Sequence, residues 1–241
     1  MSDAVIAGYV RSPFHFASKG ALARMRPDDL AAAVVKGLVG KTGIDPKDVE
    51  DLLLGCAFPE GEQGLNVARP FIVTDPGLKA NGLLDRLLAA LGAPPAGVFT
   101  DTPANPTESA TVQAAASYRA VGADGIVAFG GGSSMDLAKA MGLMVSHEGP
   151  FARLGASQRG SRHIGTIPPL VAVPTTSGTG SEVSPGAVVI LEDGRKETFV
   201  SPRLVPLAAV CDPELTLGLP PPLTAATGMD AMTHCIEAAL S

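Results

Sequence analysis

The stretch IVAFGGGSSMDLAKA at residues 126–140 limits what this chain can fold into more than any other. The apolar run at 126–129 suits a buried strand. Gly130, Gly131 and Gly132 follow at once, and Ser133, Ser134, Met135 and Asp136 lead into Leu137, Ala138 and Ala140, which favour helix. Strand, glycine turn and helix start make a unit that can bind phosphate. The glycines let the backbone approach a ligand closely, and the first-turn N–H groups face it at the positive end of the helix dipole. The third glycine of a GxGxxG fingerprint is absent, so a plain glycine-rich turn is the alternative.

The same alternation continues on both sides. Residues 70–75 read as a strand ending in Asp75, and Pro76-Gly77 breaks it. A helix at 82–91 sets Leu83, Leu84, Leu87, Leu88 and Leu91 on one face. A short strand at 97–99 follows, then the turn Asn105-Pro106-Thr107, where Thr107 can cap a helix over 108–121 with Glu108 in its first turn. The apolar strand at 170–173 runs into PTTSGTGSE at 174–182, a loop dense in hydroxyls and glycines. Residues 187–191 and 196–201 flank Glu192-Asp193-Gly194-Arg195, a hairpin signal built on Asp-Gly, and 207–211 is a further strand. Strands alternating with helices imply a parallel sheet covered on both faces, with ligands at the carboxyl ends of the strands. Asp75 and the turn at 130–133 fall at such ends. An acid there can bind ribose hydroxyls or cap a turn or helix. Lys196 can reach a pyrophosphate or stay solvated in its hairpin.

Composition narrows the partners. Apolar residues make up 46% and charged residues only 17%, enough for a core and too little charge for disorder. A net charge of −6 supplies no basic patch, so neither nucleic acid nor an anionic membrane is expected. Cys56, Cys211 and Cys235 are scattered, with no disulfide framework and no CxxC zinc pattern, which points to a reducing cytoplasm. The first residues carry Asp3 and no long apolar core, so no signal peptide is expected, and no apolar run is long enough to span a bilayer.

After Pro220-Pro221-Pro222, residues 223–240 read as a helix. Asp230 and His234 stand at i and i+4, on one face about a turn apart. A carboxylate and an imidazole so placed can share a divalent metal, although three or four ligands are usual. The alternative is a hydrogen-bonded pair without metal.

The opening 69 residues carry a strand-like stretch at 4–10, a helix pattern over 27–43 begun by Pro27, and a strand-like DLLLGCAF at 51–58. With VRSPF at 10–14, GALARMRPDDLAAAVVKGL at 20–38 and LLLGCAFPEGEQGLNVAR at 52–69, this segment resembles the N-terminus of the thiolases (acetyl-CoA acyltransferases). In that family the nucleophilic cysteine lies beyond the last motif, where this chain departs. Cys56 is expected to be a small core residue, and no thiolase chemistry is expected from the segment.

From residue 70 onward the resemblance changes. FIVTDPGLKANG at 71–82, NPT at 105–107, GGGSSMDLAK at 130–139, PTTSGTGSEVSP at 174–185 and TGMDAMTHCIEAALS at 227–241, in that order, resemble the iron-containing alcohol dehydrogenases. The resemblance implies a Rossmann-like α/β domain, a parallel sheet with flanking helices, over 70–222. It makes 223–241 the first helix of an all-helical metal-binding domain. The implied chemistry is hydride transfer between NAD(P) and a small alcohol or aldehyde, with a divalent metal, iron or else zinc, as Lewis acid. Asp75 becomes a ribose contact, whose charge favours NAD over its 2′-phosphorylated form. Gly131, Gly132 and Ser133 cradle the pyrophosphate, and Asp136 orients that loop or the nicotinamide side. Thr175, Thr176 and Thr179 line the cofactor, Asn105 touches its adenine side, and Lys196 reaches a ribose or phosphate. Asp230 and His234 correspond to the first two metal ligands.

Two departures qualify the expectation. The family's other two metal histidines come from later helices, and this chain ends at Ser241. The thiolase-like segment also replaces the family's opening strands, and the two resemblances meet near 67–70 with no linker composition between them. A fusion, deletion or assembly joint is therefore expected in preference to a bifunctional enzyme. The expected activity is an impaired, truncated dehydrogenase, with a non-catalytic NAD-binding remnant as the alternative and a thiolase-type acyltransferase as the lesser one. Homo-oligomerisation is left open.

Overall fold

The computed structural model describes residues 27–45, 67 and 69–240. The chain divides into two compact units, 1–66 and 67–241. In the first, helix α1 (Pro27–Thr42) occupies the expected stretch. It ends where Gly43 takes a φ of +71° and donates its N–H to the Val39 carbonyl at 2.9 Å, a closure that glycine permits at least cost. The strand-like stretches at 4–10 and 51–58, with Cys56, lie outside the described residues.

The second unit runs β1 (Pro70–Val73), α2 (Pro76–Ala80), α3 (Leu83–Ala90), β2 (Gly97–Phe99), α4 (Glu108–Ala120), β3 (Gly125–Gly130) and α5 (Gly132–Ser146). After short 3₁₀ turns come β4 (Leu170–Pro174), β5 (Gly186–Ile190), β6 (Lys196–Val200), β7 (Ala208–Ala209) and α6 (Pro221–Leu240). Five strands form one sheet in the order β2-β1-β3-β4-β7, with every neighbouring pair parallel. Side chains alternate across it. Phe71, Val73, Ile126, Ala128 and Ala172 pack against α4 and α5 through Ala114, Tyr118, Met135 and Met141. Ile72, Phe129 and Val173 face the other way, onto Leu78 of α2, Leu84 of α3 and Leu215. Both sheet faces are thus buried, as a parallel sheet requires.

The order reverses between β1 and β3. From β1 the chain turns to β2 on one side, and from β3 to β4 on the other. Such a point leaves a crevice beyond the strand ends. Register decides what stands there: Val73 pairs with Ala128, so Asp75 emerges beside Gly130. The β5–β6 hairpin, antiparallel with Ala187 opposite Phe199, buries Val189 and Phe199 in the α4–α5 side of the core.

Three local expectations change. The strand expected to reach Asp75 stops at Val73, and Pro76 and Gly77 open α2, because Asp75 caps that helix through the Leu78 N–H at 3.1 Å and proline suits its first position. The strand expected over 207–211 shrinks to Ala208–Ala209 at the sheet edge. The hairpin closes through a longer loop, in which Gly194 at φ +82° donates to the Leu191 carbonyl and the Leu191 N–H bonds the Arg195 carbonyl, each at 2.9 Å. Among the described residues no helix is long and apolar enough to cross a membrane.

Candidate functional site

The site begins at the glycine turn. Gly130 takes a φ of +147°, and a Cβ on it would overlap the Ser134 hydroxyl and come within 3.2 Å of Asp75 Oδ2. Gly131 is the N-cap of α5 and has no side chain to bond the first-turn amides. Those N–H groups therefore stay available to an anion. The hydroxyl-rich loop after β4 closes against the turn. A Cβ on Gly131 would lie 3.2 Å from Thr176 Oγ1, and one on Gly132 would lie 2.7 Å from Thr179 Cγ2. The Thr175 N–H donates to the Gly130 carbonyl at 3.0 Å, and the Ser133 hydroxyl donates to the Ala104 carbonyl at 2.5 Å, which ties in the loop carrying Asn105.

A cavity of about 450 Å³ opens here, walled by Asn105, Pro106, Gly132, Ser133, Asp136, Thr179, Val188, Ile190, Lys196 and Asp230. Residues predicted from distant stretches of sequence thus converge. Others stand outside these walls. Thr175 is buried, Thr176 abuts Gly131, and Asp75 caps α2 while its Oδ2 accepts from Ser134 Oγ at a long 3.5 Å. The helix-cap alternative for Asp75 is therefore present in the structure. Two buried hydroxyls at this edge of the sheet, Thr74 after β1 and Thr102 after β2, have no hydrogen-bond partner. Unpaired buried hydroxyls are costly, so polar atoms of a ligand suit this edge.

Asp136 ties the walls together. Its Oδ1 accepts from the Ser181 hydroxyl at 2.6 Å and its Oδ2 from the Val188 N–H at 3.0 Å. Burial pushes its pKa above the usual carboxylate value, and these two bonds and the Lys139 ammonium oppose that rise. Lys139 itself is fully buried and donates to the carbonyls of Ser181, Ser184 and Gly186. Nothing in the local sequence assigns it a role. The available signal was a lone cation inside the apolar run MDLAKAMGLM. The apolar walls Val188 and Ile190 carry only a strand signal in the sequence.

The α6 pair sits at the far side of the cavity. Asp230 is one of its walls, and His234 Nδ1 lies 2.9 Å from the Gly178 carbonyl oxygen. A carbonyl can only accept, so Nδ1 carries a proton. In the neutral ring Nε2 then presents the lone pair a metal needs. The two donors suit a divalent metal in kind. Among the described residues no group of three or more His, Cys, Asp or Glu side chains comes together.

Comparison with known proteins gives a family. The profile of the iron-containing alcohol dehydrogenases matches residues 58–213, and that of the thiolase N-terminal domain matches residues 4–79. The chain is 53% identical over 178 residues to a 4-hydroxybutyrate dehydrogenase of Cupriavidus necator, covering 73% of this chain and 47% of that one. It is 38% identical to a 1,3-propanediol dehydrogenase of Citrobacter freundii, covering 72% and 45%. Among solved structures, a 1,3-propanediol oxidoreductase superposes with a TM-score of 0.65 at 35% identity, over 70% of this chain and 44% of that one. A sulfoacetaldehyde reductase of Bifidobacterium kashiwanohense in complex with NAD+ superposes with a TM-score of 0.61 at 34% identity, over 68% and 43%. The chain thus spans about half the length of the curated relatives it matches.

Proposed function

The chain belongs to the iron-containing alcohol dehydrogenase family, and on that premise we propose that it binds NAD in the cavity at the carboxyl edge of its sheet, as the dinucleotide-binding part of an oxidoreductase for a small alcohol or aldehyde. The observation that carries this reading is the shared cavity of Asn105, Gly132, Ser133, Asp136, Thr179, Lys196 and Asp230. The amides of Gly131, Gly132 and Ser133 at the start of α5 hold the pyrophosphate, and the Lys196 ammonium offsets its charge. Asn105 meets the adenine side and Asp75 a ribose hydroxyl. Thr175, Thr176 and Thr179 keep the loop against the turn, so that water is excluded from the bound dinucleotide.

Bound there, the dinucleotide would supply hydride-transfer chemistry and a divalent metal would supply a Lewis acid. Asp230 and His234 supply two donors for that ion. Iron is the metal of the family's name, and zinc accepts the same donor types. Three or four protein ligands are usual, so an ion held there would need one or two further donors.

Titration with NADH, followed by nicotinamide fluorescence, tests the binding. Saturable binding supports the reading, and none at any ionic strength overturns it. Oxidation of 4-hydroxybutyrate and of 1,3-propanediol with NAD+ and added Fe2+ then tests turnover. Binding without turnover leaves a nucleotide-binding chain. Thioester cleavage would point to the acyltransferase instead.

A further inference from the structure

We propose that Lys139 is a positioning residue for the cofactor site, its buried ammonium holding the loop between β4 and β5 closed against the glycine turn. The inference rests on the NAD-binding reading above and adds a residue to it.

Lys139 stands three residues beyond Asp136 on α5, on the same side of the helix. Its side chain has no exposure. Nζ donates at 2.7 Å to the Ser181 carbonyl, at 2.8 Å to that of Ser184 and at 2.9 Å to that of Gly186, with the Ser181 hydroxyl further away at 3.4 Å. An ammonium has three N–H bonds, and three carbonyls satisfy them. A buried cation without such partners would be strongly unfavourable. The negative ends of three peptide groups therefore converge on one point, and the backbone from Ser181 to Gly186 must wrap around it. The Ser181 hydroxyl also donates to Asp136, and the Ser181 N–H donates to Thr179 Oγ1 at 3.2 Å. Thr179 in turn packs against Gly132. One line of bonds and packing thus runs from the ammonium to the wall of the cofactor cavity.

Burial draws the Lys139 pKa down to about 8, while the carboxylates of Asp136 on α5 and Glu182 on the loop oppose the fall. Because this pKa is lower with the side chain buried than with it free in water, raising the pH from about 8 toward 10.5 favours the closed loop over an opened one.

The chain has no tryptophan and Val183 on this loop is exposed, so Val183→Trp provides a clean indole reporter. In this background, Lys139→Met should weaken NADH binding by at least about tenfold, since bonds to a charged group are among the stronger ones. Indole anisotropy at pH 7 should fall at the same time. In the parent, anisotropy should hold or rise between pH 8 and 10, since the closed loop lowers the lysine's pKa; in the Lys139→Met variant it should be low and flat. Circular dichroism shows whether the variant folds, and if it does not, the parent's pH profile decides alone. A folded variant with unchanged anisotropy and unchanged NADH affinity would overturn the proposal, as would a parent whose anisotropy falls between pH 8 and 10. If the parent binds no NADH, the cofactor reading fails, and the reporter still decides whether Lys139 holds the loop.

Discussion

Replacing Gly178 by alanine should separate α6 from the cofactor loop while leaving the sheet folded. Gly178 has a φ of +117°, and its carbonyl accepts from His234 Nδ1 at 2.9 Å. A Cβ there would stand 2.3 Å from the Thr227 carbonyl oxygen and 3.1 Å from Asp230 Oδ2. An ordinary carbon–oxygen approach is about 3.3 Å, so loop and helix must part by about 1 Å. The backbone conformation costs roughly 1–3 kcal/mol for a non-glycine residue, and the overlap adds roughly 1–3 kcal/mol. Gly180 is the internal control. It has a φ of +63° with open space where a Cβ would go, so Gly180→Ala carries only the backbone cost, roughly 1–2 kcal/mol. Helix α6 is the part that can yield, since Met229, Met232 and Ile236 leave more than half of their surface in solvent. Gly178→Ala should therefore raise amide exchange in α6 by about tenfold or more, as loss of about 1.4 kcal/mol of local stability would do. Urea unfolding of the sheet, followed by circular dichroism, should stay close to that of Gly180→Ala. Equal α6 exchange in the two variants would refute the reasoning, because the Thr227 contact would then carry no energy.

Other perturbations separate stability from binding. Thr107 caps α4 through the Ala110 N–H at 3.2 Å, so Thr107→Ala should cost about 1 kcal/mol in urea unfolding and leave NADH affinity unchanged. Asp75→Ser keeps an oxygen for the α2 cap and removes the charge, so stability should hold while NADPH gains relative to NADH in competitive binding. A parent protein that prefers NADPH would contradict the role given to Asp75. The folded-state pKa of Lys139, about 8, lies below its ordinary 10.5, so the folded protein releases this proton first. The burial cost is then present below pH 8 and relieved as pH rises toward 10.5. Stability from this group should climb over that window, and the parent should gain on Lys139→Met in unfolding free energy between pH 8 and 10.

What could be read from sequence was local. The strand at 126–129, the three glycines and the helix after them follow from hydrophobic period and punctuation alone, as does the Thr107 cap. The pair Asp230 and His234 was legible because four residues on a helix is a fixed distance. Helix α2 was not, since Pro-Gly after a strand reads as a stop; the aspartate before it turns proline into a first helical residue. The edge strand β7 pairs only at Ala208 and Ala209, with Val171 and Ala172 of β4, and no local pattern in the sequence marks where that pairing stops. Lys139 was illegible for a different reason. Its acceptors lie 42 to 47 residues further on, in a loop whose return path no local pattern fixes. The bond from His234 to Gly178 spans 56 residues and was hidden in the same way.

The central claim is that amides after a glycine turn, closed over by a hydroxyl-rich loop, hold a nicotinamide dinucleotide. Calorimetric titration of the purified chain with NADH, at low and at moderate salt, addresses it most directly. The account predicts one saturable site, competed by NAD+ and weakened when Gly132→Ala drives a methyl into Thr179. No heat of binding at either salt concentration, from a protein shown to be folded, would contradict it.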